Sequence, residues 1–200
     1  MTALVDRDEA IRLLKVGGVV AVPTDTVYGI AASLAHPRAL QRLFEIKRRP
    51  TTTALPILVD SQVAIERLGV DWPAGAQRLS EAFWPGALTI VVAVPHELAT
   101  LVGSTRDTAG FRIPRHELLR DVLIDVGPLA VSSANEHGEA PCRSAAAVLN
   151  AFVGREELDG VLEGGEGDGE VSTVVGVDDA SWRVLRHGAL DTEDLARALE

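Results

Sequence analysis

Cysteine occurs once in the 200 residues, at Cys142, so no internal disulfide can form, and no Cys/His spacing outlines a zinc site. Its simplest reading is a small, partly buried residue. Lysine is nearly missing as well: of 19 basic residues only Lys15 and Lys47 are lysines, and 29 acidic residues leave a net charge of -10. A surface of that sign is not built to coat nucleic acid, a mode that draws its affinity from clustered phosphate contacts. No apolar run approaches the roughly 18 to 20 residues of a membrane span. The opening MTALVDRDEAIRLL lacks the basic and then apolar regions of a secretory leader. These absences place the chain in the cytoplasm with no membrane role. No Gly-x-x-x-x-Gly-Lys-Ser/Thr and no Gly-x-Gly-x-x-Gly after a strand is present, which excludes the P-loop and the dinucleotide fingerprint.

What is there suffices for one domain over residues 1–200. Hydrophobic residues are 46% and charged residues 24% of a 200-residue chain, enough to bury a single core without metal or disulfide support. Apolar periodicity, caps and breakers predict helices over 6–15, 37–49, 63–68, 76–83, 116–126, 143–152 and 192–199, the last capped by Asp191 or Thr192. β-Branched runs predict strands over 19–22, 54–59, 87–94, 110–113, 128–132, 171–177 and 182–185. The alternation is that of an α/β protein with a substantial sheet. The stretch EGGEGDGE at 163–170 reads as a mobile loop.

Polar segments sit at the ends of these strands, where α/β proteins gather functional groups. They are PTDTVYG at 23–29, KRR at 47–49, FRIPR at 111–115, SSAN at 132–135, VSTVV at 171–175 and RHG at 186–188. Taken singly, each has a local explanation: a turn, favourable charge at a helix C-terminus, an edge strand with solvated arginines, a cap, an ordinary strand. Three consecutive cations in so acidic a chain nevertheless imply an anion met locally.

Taken in order, and with FWPGALTIVV at 83–92 and LRHGAL at 185–190, these segments resemble the YrdC-like family of threonylcarbamoyl-AMP synthases. The likeness runs from about residue 16 to 190, and the length suits the single-domain form. It implies a YrdC-like twisted mixed β-sheet with flanking helices and an open concave site. It also implies an enzyme that joins L-threonine, bicarbonate and ATP into threonylcarbamoyl-adenylate and pyrophosphate, with magnesium arriving on the nucleotide. A downstream tRNA threonylcarbamoyltransferase complex would then use the adenylate, direct tRNA binding being weak or transient.

By the same resemblance, Lys47 and Arg49 are the catalytic cations, Thr24, Thr26, Tyr28 and Arg112 hold threonine and bicarbonate, and Ser133, Asn135, Ser172, Thr173 and Arg186 contact the nucleotide. The residue types suit the chemistry. Bicarbonate, a carboxylate, a carbamate and a triphosphate repel one another, by about 4 kcal/mol per pair of unit charges at ~4 Å and an effective dielectric near 20, so fixed cations are needed. If the chain is extended at 47–49, Lys47 and Arg49 share a face. The sequence departs from the family pattern at Thr53, where many relatives carry a further lysine that Arg48 or Arg115 would have to replace, at Leu58, and at Glu136, near the expected phosphates. Two alternatives stay open: a paralogue of the same fold with another carbamoyl- or acyl-adenylate activity, and a non-catalytic RNA-binding module.

Overall fold

The computed structural model describes residues 2–47, 54–135, 139–152 and 158–200. Among them ten strands form one twisted mixed sheet: β1 (Leu4–Val5), β2 (Val19–Val22), β3 (Gly29–Ser33), β4 (Ile57–Leu58), β5 (Leu88–Ala93), β6 (Thr108–Arg112), β7 (Leu129–Ser133), β8 (Gly160–Leu162), β9 (Thr173–Val177) and β10 (Trp182–Arg186). Their order across the sheet is β1-β8-β2-β3-β7-β4-β6-β5-β9-β10. The helices are α1 (Arg7–Lys15), α2 (Pro37–Lys47), α3 (Gln62–Glu66), α4 (Ala74–Phe83), α5 (His96–Leu101), α6 (Glu117–Val126), α7 (Ala145–Ala151) and α8 (Thr192–Leu199).

Local chemistry sets the helix boundaries. The Asp6 carboxylate accepts the Glu9 N–H at 2.9 Å and starts α1, whose Ala10 and Leu14 are fully buried one turn apart. Pro37 opens α2, and Ala39, Leu40, Leu43 and Phe44 form its buried stripe. Asp191 occupies the N-cap position of α8 without a side-chain cap bond.

The two faces of the sheet are covered unequally, and this creates the site. On one face α2, α3, α4, α7 and α8 bring Leu43, Ile65, Leu79, Val148 and Leu195 onto Ile30, Ile57, Ile90, Phe111 and Val175. On the other, α1 and α6 cover only the half around β2, β3 and β7, packing Leu14, Val122 and Leu123 against Val20, Ala31, Val131 and Leu162. That second layer contains no residue of β5, β6, β9 or β10. The alternate positions of those strands, Thr89 and Val91, Gly110 and Arg112, Val174, and Leu185, line open cavities instead.

Several elements differ from the sequence reading. β1, β3, β8 and α5 were not expected, and β4 is shorter than the strand read over 54–59. The sequence GIAAS of β3 is buried at all five positions and, apart from Ile30, consists of small residues, so it carries neither alternation nor a β-branched run. Lys47 is the last residue of α2 rather than part of an extended segment. The alternation argument for Lys47 and Arg49 therefore fails at its first member, and Arg49 lies outside the described residues.

Candidate active site

Arg112 closes β6 at the edge of the uncovered half-sheet, with 5% of its surface exposed. Its Nε donates to the Gly86 carbonyl at 2.8 Å, one terminal nitrogen to Thr26 Oγ1 at 2.9 Å, and the other to Asp25 Oδ1 at 2.7 Å. Burial pushes the Arg112 pKa down, Asp25 opposes that through its charge and hydrogen bond, and Arg186 adds repulsion. A guanidinium stays charged regardless, and two of its five N–H remain after these three bonds.

The PTDTVYG segment is shaped by its own hydroxyls. Thr24 Oγ1 accepts the N–H of Thr26 and of Val27, each at 3.1 Å, and gives its single proton to the Val27 carbonyl at 2.7 Å. The two threonine hydroxyls lie 2.9 Å apart, and that of Thr26 accepts from Arg112 at 2.9 Å. Tyr28 is fully buried, and its hydroxyl accepts the Gly164 N–H at 3.1 Å; burial raises its pKa above the usual phenol value. The structure thus brings Thr24, Thr26 and Tyr28 to the cleft as expected.

On the opposite wall Ser172 Oγ contacts Thr89 Oγ1 at 2.9 Å and accepts from Arg186 at 3.0 Å, while Arg186 also donates to the Ser172 carbonyl at 2.7 Å. Ser133 Oγ donates to Asn135 Oδ1 at 2.7 Å. Lys47, only 4% exposed, donates to the Ser133 carbonyl at 2.7 Å, to Asn135 Oδ1 at 2.8 Å and to the Asn135 carbonyl. Lys47 and Asn135 therefore stand behind Ser133 rather than on the cleft wall. Thr173 does not reach the cleft: it is fully buried, and its hydroxyl exchanges hydrogen bonds with the Leu190 backbone at 3.1 and 2.9 Å. It pins the turn that follows Arg186, which leaves Ser172 as the cleft-facing member of that pair.

An open cleft of about 120 Å³ lies between Thr24, Thr26, Leu58, Arg112, Ser133 and Ser172. It continues along the open sheet over an apolar floor of Pro56, Val91, Val174 and Leu185. Gly110 lies in that floor, and a Cβ there would sit 2.9 Å from Thr89 Cγ2. Leu58 is 3% exposed and belongs to the apolar layer that ends at the cleft. Among the described residues no group of three or more His, Cys, Asp or Glu is placed to hold a metal ion.

Residues 163–170, whose composition suggests a mobile loop, pack on the PTDTVYG segment. They form a strap over PTDTVYG: Asp168 and Gly169 N–H groups donate to the carbonyls of Asp25 at 3.2 Å and Thr26 at 2.8 Å, and Gly167 N–H to that of Arg143 at 3.0 Å. His116 Nε2 meets the Gly164 carbonyl at 3.0 Å. A Cβ on Gly167 would lie 2.3 Å from the Thr26 carbonyl oxygen, and one on Gly164 2.4 Å from Pro23 Cγ. These glycines serve close backbone approach, not looseness. Asp25 and Thr89 are site residues that the sequence reading passed over. Asp25 stands between the two threonines of its motif, and Thr89 is a polar residue within an apolar strand. Arg48, Thr53 and Glu136 lie outside the described residues.

Residues 12–188 match the family model Sua5_yciO_yrdC, described as telomere recombination. The chain belongs to the Sua5/YciO/YrdC family. Among its relatives is a putative threonylcarbamoyl-AMP synthase of Mycobacterium tuberculosis, 38% identical over 195 residues that cover 95% of this chain and 87% of the relative. The threonylcarbamoyl-AMP synthase of Bacillus subtilis is 33% identical over 94% of this chain and 54% of the relative. Of solved structures, Pyrococcus abyssi Sua5 complexed with L-threonine superposes with a TM-score of 0.89 at 31% identity, covering 100% of this chain and 61% of that one. The family member seen here thus spans only about three fifths of that archaeal chain, against most of the mycobacterial one. Escherichia coli YciO shares the fold, with a TM-score of 0.82 at 21% identity.

Proposed function

We infer that this family member is a threonylcarbamoyl-AMP synthase, an ATP-using nucleotidyltransferase that supplies the threonylcarbamoyl group for tRNA threonylcarbamoyladenosine. The observation that carries the reading is Arg112: a buried, hydrogen-bonded guanidinium at the end of a cleft, with two N–H left for a carboxylate oxygen pair. Threonine would dock its carboxylate there and its amine toward bicarbonate. Amine and bicarbonate would form the carbamate with loss of water, and a carbamate oxygen would attack the α-phosphorus of ATP as pyrophosphate leaves. No side-chain nucleophile is required, so catalysis is positioning and charge neutralisation.

In this reading Ser172, Arg186 and Ser133 receive the nucleotide along the opposite wall. Arg49 neutralises the carbamate and phosphates, and Lys47, held by Asn135 behind Ser133, adds its charge from there. Magnesium would be carried by phosphate oxygens, because the cleft presents hydroxyls and cations, which suit the phosphates rather than the ion. The adenylate would pass to a downstream threonylcarbamoyltransferase complex.

Pyrophosphate release from ATP, measured with threonine, serine, valine or no amino acid and with or without bicarbonate, tests this. Release that requires both threonine and bicarbonate, and that is lost in Lys47→Ala and in Arg49→Ala, is the expected result. ATP binding without threonine-dependent release would assign the chain to a paralogous activity.

A further inference from the structure

Asp25 presents a contradiction. The site must attract anions, yet a carboxylate lies against its main cation at 2.7 Å, with both side chains almost wholly buried, at 6% exposure for Asp25 and 7% for Arg112. As charge alone, Asp25 weakens the receptor. As geometry, it helps to orient that cation. The Arg112 guanidinium is a planar fork on a long flexible stem, and three partners fix its plane: Gly86 at Nε, Thr26 at one terminal nitrogen and Asp25 at the other. One N–H then remains on each terminal nitrogen.

Asp25 is itself held rigidly. The same Oδ1 accepts the Arg115 N–H at 3.0 Å, which ties it to the chain just past β6. Its carbonyl accepts the Asp168 N–H, and the neighbouring Thr26 carbonyl accepts that of Gly169. One residue therefore joins the strap, the PTDTVYG segment and the arginine. We propose that Asp25 is the positioning residue of the amino-acid site, turning the two unspent N–H of Arg112 toward the threonine carboxylate. This rests on the reading of Arg112 as the carboxylate receiver.

Charge and geometry give opposite expectations for Asp25→Asn, which keeps the shape and removes the charge. If charge decides, threonine binds more tightly. If orientation decides, threonine binding weakens, and kcat/KM falls by up to about a hundredfold for a displacement near 1 Å. The test is threonine affinity by calorimetry and the KM and kcat of pyrophosphate release on the full chain, for Asp25→Asn, Arg112→Met and the double variant. Expected are a raised threonine KM in Asp25→Asn with the ATP KM unchanged, and no further loss when Asp25→Asn is added to Arg112→Met. Unchanged or tighter threonine binding in Asp25→Asn overturns the proposal, as does an equal penalty in both backgrounds, which would mean that Asp25 only shapes its turn. Should Asp25→Asn unfold, Asp25→Glu reads the same quantity through a displaced ion pair: a raised threonine KM alone supports the proposal, and both KM values raised, or neither, overturns it. Full threonine affinity in Arg112→Met is a separate result, sinking the reading of Arg112 itself.

Discussion

Arg112 and Lys47 are both cations with about a twentieth of their surface exposed, and each is met by protein oxygens. Arg112 donates to the Asp25 carboxylate, and Lys47 to the Ser133 carbonyl and to two oxygens of Asn135. Burying either charge without such partners would cost several kcal/mol. Both residues were legible in the sequence as members of a motif. Their partners were less so: Asp25 reads locally as a turn residue, and only its 87-residue separation from Arg112 closing in space gives it a role. Cys142 behaves as its isolation suggested. Burial raises its thiol pKa, with nearby Lys47 pulling the other way, and its backbone links Ala134 to Tyr28. Little thiolate forms near neutral pH, so a disulfide reagent at about pH 8 should label the native chain slowly and the unfolded chain at once. Immediate labelling of the native chain would show that the 134–142 segment opens.

At the scale of elements, the strap makes the clearest demand. Gly167→Ala places a methyl group within 2.3 Å of a backbone oxygen, and backbone cannot step aside as a side-chain tip can. A loss of about 1 to 3 kcal/mol is expected, read as a lower denaturant midpoint, together with a raised threonine KM because the strap carries Asp25 and Thr26. Unaltered midpoint and KM would show that the strap adjusts freely. At the start of α5, His96 Nδ1 lies 2.7 Å from Asp107 Oδ1, and that bond, then the Asp107 charge, raises the His96 pKa. A raised folded pKa adds stability that is fully present below the unfolded value near 6.5 and lost as pH climbs through the folded one. The Tm advantage of the wild type over Asp107→Asn should therefore shrink as pH rises above about 6.5, and the pair being exposed, it starts small. Long periodic elements such as α1, α2, α6 and α8 were legible. β1 and β8 were not, since two- and three-residue strands carry no period. They exist because each supplies ladder partners to a strand distant in sequence.

For the whole molecule, a net charge of -10 coexists with a cleft whose charged lining, among the described residues, is Arg112 and Arg186. Filter binding at about 0.15 M salt should accordingly retain little tRNA; tight, steeply salt-dependent retention without threonine turnover would instead mark an RNA-binding module. The ordered motifs made the family fold legible, yet the strand order was beyond reach, because it depends on which distant segments pair. That order has a consequence for the chain as it is synthesised. β8 lies between β1 and β2 and runs parallel to both, and β9 completes the wall beside β5. The first strand made must wait for residues 160–162 before it has any neighbour, and the cleft lacks a wall until residues 172–177 have left the ribosome. The nascent chain can close its β2–β3 hairpin early, but the catalytic half of the sheet forms last. It forms through contacts that are slow because they are distant, so a ribosome stalled before residue 160 would hold a chain with neither its first strand docked nor a substrate site.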